Sequence, residues 1–250
     1  MHIPAGKKVY FLSDFHLGVP DHASSLVREK KIVAFLERAK ADAATIFIVG
    51  DLFDFWFEYR KVVPKGFVRI LGKLAELTDA GIPVHFFVGN HDMWMSGYFE
   101  KELNIPVYHE SRVFEFNGKK LLVGHGDGLG PGDHGYKTIK KVFRNPLLKF
   151  LFGLIPPFFG ISLAAYFSKS SRASTGESDE QFLGEENEWL ILYCRAKLKE
   201  HAYDYFVFGH RHLPIDFQLN EKSRYINLGD WIKYDSYAVL DGTALQLKFN

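Results

Sequence analysis

The chain has 250 residues, 47% hydrophobic and 24% charged, with a formal net charge of +1. That length accommodates one full core, so one domain with an insertion is expected rather than two. The near-neutral balance excludes a global attraction to nucleic acid. The one cysteine, Cys194, excludes an intramolecular disulfide and fits a reducing compartment. Met1–Lys8 has no apolar signal-peptide core, so no secretory leader is expected.

Val9–Leu12 reads as a short first strand that ends in Ser13, Asp14, Phe15 and His16. Two residues apart in an extended segment, Asp14 and His16 point the same way. Ser24–Ala41 has helical periodicity, with Leu26, Ile32, Val33, Phe35, Leu36 and Ala39 on one face. Ile46–Val49 reads as a strand buried on both faces. It runs into Gly50 and Asp51, at the end of a strand where open α/β sheets build their sites. Phe53, Phe55, Trp56, Phe57 and Tyr59 follow as an aromatic cluster, expected to pack beneath that site. The alternative is a wall for an apolar substrate.

Lys65–Ala80 reads as a second amphipathic helix, stopped by Gly81 and Pro83. Val84–Val88 is the next buried strand and delivers Gly89, Asn90, His91 and Asp92. Arg112–Phe116 and Lys120–Val123 flank Asn117 and Gly118 as a hairpin. The second of these strands ends in Gly124, His125, Gly126 and Asp127.

Tyr136–Arg172 differs in composition, with seven Lys or Arg and no Asp or Glu. Within it the eighteen residues Phe150–Phe167 carry no charge, and Pro156 and Pro157 interrupt them. The prolines argue for two short helices rather than a membrane span. Either an ordinary buried hairpin or a cationic, apolar cap that touches lipid accounts for this stretch. Ser168–Ser174 is rich in hydroxyls and basic, which suits phosphate contacts or a solvated loop. Glu185–His201 returns to helical periodicity. Tyr205–Phe208 is a strand ending in Gly209, His210, Arg211 and His212. Arg224–Leu228, Tyr237–Leu240 and Leu245–Phe249 close the chain as strands, with Gly229, Asp230 and Trp231 after the first.

Each polar motif is weak alone, but five of them follow five apolar strands. Together, in this order, they resemble the calcineurin-like metallophosphoesterase family over nearly the whole chain. The resemblance implies an α/β fold, a four-layer α/β/β/α sandwich, around two divalent metal ions. Residues 1–133 and 176–250 would form the core, and 134–175 a helical cap insertion. Carried across by motif, one metal takes Asp14, His16, Asp51 and His212. The other takes Asp51, Asn90, His125 and His210, so Asp51 bridges. Such ligands suit Mn²⁺, with Fe²⁺ or Zn²⁺ also possible. His91 would stabilise the transition state or protonate the leaving oxygen, and Asp92 would orient it or serve the turn.

Within the family, Ser13–Gly18, Gly50–Trp56, His125–Tyr136 and the apolar insertion resemble the UDP-2,3-diacylglucosamine diphosphatases of lipid A synthesis. That branch implies cleavage of a UDP-linked diacylated sugar lipid in the cytoplasm, peripheral on the inner membrane, without nucleic acid. Asn90, His91, Asp133, Ser168, Lys169, Arg172 and His210 match its substrate-binding positions. His91 stands where the main branch has Arg, which keeps another lipid or nucleotide phosphoester open as the substrate. A non-catalytic scaffold is disfavoured because all seven ligands are present.

Overall fold

The computed structural model describes residues 1–131, 134–175 and 181–250, without the side chains of 134–136, 138, 139, 165, 167 and 169–175. Eleven strands form two sheets among the described residues. The first sheet is built from β1 (Lys8–Leu12), β2 (Ala43–Val49), β3 (Val84–Phe87), β4 (Val107–Tyr108), β10 (Ser236–Leu240) and β11 (Leu245–Phe249). Their order is β11-β10-β1-β2-β3-β4, and β1 to β4 run parallel. The second sheet is built from β5 (Arg112–Phe116), β6 (Lys119–Val123), β7 (Tyr205–Phe208), β8 (Pro214–Gln218) and β9 (Arg224–Leu228), in the order β5-β6-β7-β9-β8. Its centre, β6-β7-β9, is parallel.

Strand alternation generates the layers. Val9, Phe11, Phe47 and Val49 face Leu121, Val123, Val207 and Ile226, and these form the apolar layer between the sheets. Tyr10, Leu12, Ile46 and Ile48 face the other way, onto α1 (His22–Lys40) and α2 (Val68–Asp79). Leu122, Phe206, Phe208 and Tyr225 pack against α7 (Trp189–Leu198) on the far side. Three apolar layers therefore separate four layers of structure, the expected α/β/β/α sandwich. Each buried Leu, Ile or Phe contributes ~1.5–3 kcal/mol relative to exposure.

Two helices start later than their periodicity suggests. Phe67, in left-handed backbone, precedes α2, and Glu188 occupies the cap position of α7. The short α3 (Tyr98–Glu102), β4 and β8 give too little repeat to be read from sequence. Between β6 and β7, three helices appear rather than two: α4 (His134–Phe143), α5 (Pro146–Gly153) and α6 (Pro157–Thr175). Asn145 caps α5 by accepting from the Leu147 and Leu148 amides, and Pro146 is its first residue, so this break is a helix start. The Ser168–Ser174 stretch is helical, as the end of α6, and not a loop.

The apolar run does not belong to the core. No residue of α5 is buried, and Leu154, Phe158 and Phe159 are 66%, 76% and 63% exposed. The opposite side is held on the aromatic cluster. Phe152 packs 4.8 Å from Phe57 and 4.7 Å from Trp94 between ring centres. Trp94 Nε1 donates to the Phe143 carbonyl at 2.7 Å. The cluster thus divides: Phe53 and Trp56 stack in the core, while Phe55 and Phe57 meet the helical insertion. Among the described residues no helix is long and apolar enough to cross a membrane.

Candidate metal centre

Parallel strands send their carboxyl ends the same way, and all five motifs emerge there. β1 delivers Asp14 and His16, β2 delivers Asp51, and β3 delivers Asn90 and His91. From the second sheet, β6 delivers His125, and β7 delivers His210 and His212. The backbone turns sharply as it leaves the strands. Asp14, His16, Asp51, His210 and His212 have φ of 54°, 43°, 53°, 70° and 50°. Asp and His enter this left-handed region more readily than bulky residues, at a cost on the order of 1 kcal/mol each. Two glycines let the loops approach. A Cβ on Gly50 would strike the His125 ring, and one on Gly89 would land on the Asp51 carboxylate.

The expected ligands converge on two overlapping groups. Asp14, His16 and His212 each place a donor atom within 4.8 Å of the others, and so do Asp51, His125 and His210. His16 Nε2 lies 3.2 Å from His212 Nε2 and 3.6 Å from Asp14 Oδ1. Asp51 Oδ2 lies 3.7 Å from His16 Nε2 and 3.2 Å from His125 Nε2, so it faces both groups. Asn90 Oδ1 joins the second, 3.1 Å from His125 Nε2 and 2.9 Å from His210 Nδ1.

The donor set fits divalent cations. Asp14 Oδ1 and Asp51 Oδ2 are buried and accept no hydrogen bond from the described residues. Buried anionic oxygens of that kind call for a facing positive charge. The donors are carboxylate, amide and imidazole, without thiolate, which suits Mn²⁺, Fe²⁺ or Zn²⁺.

Neighbouring groups set the rings. His125 donates from Nδ1 to the Val49 carbonyl at 2.8 Å, which leaves Nε2 as the atom that could ligate a cation. His212 Nδ1 lies 3.2 Å from Asp230 Oδ2, while Asp230 Oδ1 accepts from the amides of Ile232, Lys233 and Tyr234. Arg211, between the two histidines, turns away. It pairs with buried Glu188 at 2.6 Å and lies over the Trp189 ring. Asp92 does not orient His91. Its two oxygens accept from the Gly89 and Leu52 amides, both at 2.8 Å, which ties the β2 and β3 loops together.

Without cations the cluster is polarised by its own charges. Burial pushes Asp14 up, but His16, His125 and His212 outweigh it and hold the carboxyl at about 2. Burial also opposes ionisation of Asp51, and His125 and His91 still hold it well below the ordinary range. Burial disfavours the His125 cation, yet Asp51 raises the group to about 10. For His212, burial is likewise overcome by Asp230 and Asp14, which raise it to about 9. His16 and His210 are lowered to about 4, chiefly by burial.

Of the other expected site residues, His91 places a donor atom within 4.8 Å of His16 and Asp51. Ser168 Oγ reaches to 3.2 Å from His91 Nδ1. Asp133 and the side chains of Lys169 and Arg172 lie outside the described residues. Three carboxylates were missed by the sequence reading. Asp54 Oδ1 is 3.8 Å from His16 Nδ1, Lys140 of α4 pairs with Asp127, and Asp230 holds His212. Asp230 could have been found, because it follows a strand and a glycine just as Asp51 does.

Residues 7–214 match the model of the calcineurin-like phosphoesterase family. This chain belongs to that family. Its members use a dinuclear metal centre, and the chain is accordingly a hydrolase with its His and Asp cluster at the strand ends. The chain is 42% identical to a UDP-2,3-diacylglucosamine hydrolase of Porphyromonas gingivalis, over 96% of this chain and 97% of that protein. It is 28% identical to the protein of the same name from Yersinia pestis, over 82% of this chain and 81% of the relative. A solved structure of a predicted phosphoesterase from Streptococcus pneumoniae aligns with a TM-score of 0.43 and 16% identity, over 97% of this chain and 88% of that one.

Proposed function

We propose that the chain hydrolyses the diphosphate of UDP-2,3-diacylglucosamine, giving UMP and 2,3-diacylglucosamine 1-phosphate, in lipid A synthesis. The observation that carries this reading is a juxtaposition. A donor cluster for two cations lies beside helices whose outer face is apolar and exposed. A nucleotide phosphoester alone would not call for that face. Residues 134–175 act as the cap, and residues 1–133 and 176–250 as the catalytic core. The names of the relatives support the same substrate.

Asp14, His16, Asp51 and His212 would hold one cation, and Asp51, Asn90, His125 and His210 the other, with Mn²⁺ in both. Bound there, the pair supplies Lewis-acid charge to phosphate oxygens and lowers the pKa of water. The chain's own groups do the rest. Asp51 anchors both halves. His91, with Nδ1 held 3.0 Å from the Asp54 carbonyl, would as the imidazolium present its Nε2–H to the leaving oxygen. Asn90, His91 and His210 line the place for phosphate, and Asp133, Ser168, Lys169 and Arg172 complete the substrate contacts. Leu151, Leu154, Phe158, Phe159 and Leu163, all exposed, would take the acyl chains or the bilayer surface. The protein then works in the cytoplasm, peripheral on the inner membrane, with no nucleic-acid partner.

Phosphorus NMR of the products tests this reading. Metal-stripped protein given Mn²⁺ and the diacylated UDP-sugar should yield UMP and a sugar 1-phosphate. An intact diphosphate, or release of UDP, would refute it.

A further inference from the structure

The turn after β7 carries two of the candidate ligands with one residue between them. His210 and His212 stand at φ of 70° and 50°, a left-handed conformation that persists only where its surroundings enforce it. Backbone bonds do part of this. The His210 amide donates to Asp14 Oδ2 at 3.0 Å. The Arg211 amide donates to the Gly209 carbonyl at 2.9 Å, and the Asn227 side chain donates to the same carbonyl.

The side chain between the histidines adds a second set of contacts. Arg211 is fully buried, and so is its partner Glu188. Arg211 Nε donates to Glu188 Oε1 at 2.6 Å, and Nη2 lies 3.4 Å from Oε2. Nη2 also donates to the Gln181 carbonyl at 2.7 Å, and the guanidinium carbon lies 4.4 Å from the centre of the Trp189 ring. Glu188 occupies the cap position of α7. Gln181 lies on the segment between the helical insertion and that helix.

Stability alone does not account for such a pair. Taking two charges out of water costs about as much as their attraction returns, and apolar residues of similar volume would hold the fold as well. What the pair adds is direction. A planar guanidinium forked onto a carboxylate and laid on an aromatic ring has one orientation, which a lysine or an apolar side chain would not reproduce.

We infer that Arg211 and Glu188 are positioning residues for His210 and His212, locking the turn from the side away from the cluster so that both imidazoles face it. Neither residue touches a cation or the substrate. Because the proposed assignment gives His210 to one cation and His212 to the other, the two sites share this anchor. The inference rests on that ligand assignment and not on the identity of the substrate.

The test is Mn²⁺ binding to the metal-stripped full chain, read by competition with a chelator, in two variants. Arg211→Met with Glu188→Leu replaces the pair by apolar groups, and Arg211→Lys keeps the charge beside Glu188 without the fork. Thermal melting of the metal-free proteins checks that each variant is folded. In folded protein both variants should lose roughly 10–100-fold in affinity at both sites together, whereas a merely structural pair would lower the melting temperature and leave the affinities alone. Unchanged affinities in either folded variant, or a loss confined to one site, would overturn the inference. Fewer than two ions bound by the wild type would instead bring down the ligand assignment, and the inference with it.

Discussion

His125 donates to the carbonyl of Val49 at 2.8 Å, so the last residue of β2 fixes the ring that faces Asp51 two residues further on. The bond joins the two sheets at the point where their motifs meet. Candidate ligands from separate sheets are thus aligned by backbone contacts alone.

Asp230 plays the matching part for His212. Asp230→Asn keeps an oxygen for the amides of Ile232, Lys233 and Tyr234 but removes the carboxylate that orients the ring. Affinity for one of the two cations should fall roughly 10–100-fold, read by competition with a chelator. Unchanged affinity at both sites would show that the turn alone holds His212.

His91→Ala should lower kcat by ~10²–10⁴-fold while both cations are retained, because the role proposed for it is proton transfer rather than coordination. Metal analysis beside steady-state kinetics separates the two. Loss of one ion would make His91 a ligand, which its closeness to His16 and Asp51 allows geometrically.

Cation uptake should release protons. Without cations His125 is raised to about 10 by Asp51 and His212 to about 9 by Asp230, against the opposing effect of burial in both cases. Both are therefore protonated at pH 7, and ligation needs them neutral. Affinity should rise with pH from about 6 towards 9. The protonated rings stabilise the metal-free fold most below their unfolded pKa, ~6.5, and that contribution fades as pH climbs through 9 and 10. Calorimetry in two buffers of different ionisation enthalpy counts the protons. A heat independent of buffer would contradict the assignment.

Replacing Leu151, Leu154, Phe158, Phe159 and Leu163 with serine should cripple turnover of the diacylated substrate and spare a small phosphodiester. These side chains are 44–76% exposed, so the fold should tolerate the changes. Lost burial of acyl chain costs ~0.8 kcal/mol per CH₂. Equal losses on both substrates in folded, metal-loaded protein would assign the helices to structure alone.

The strands were legible because each is a short apolar run, and the polar motifs stood out because they follow those runs, where such folds put chemistry. The assignment of Asp14, Asp51 and His125 to cations needed the family resemblance as well. The partners of those ligands were harder. Asp54 and Asp127 sit inside motifs already noted, but what they touch comes from α6 and α4, more than a hundred residues away in one case and thirteen in the other. Periodicity is blind to such contacts. The first break in the insertion was missed for a different reason: Asn145 and Pro146 start a helix, and a proline there reads equally as an interruption.

The central claim is that Asp51 holds two cations for phosphate-ester hydrolysis. The most direct test is Mn²⁺ titration of metal-stripped wild type and Asp51→Asn, with bound metal and UMP release measured together. The account predicts two tightly bound ions and UMP release in the wild type, and weakened binding at both positions with collapsed turnover in folded Asp51→Asn. Two tight ions and normal turnover in Asp51→Asn would contradict it.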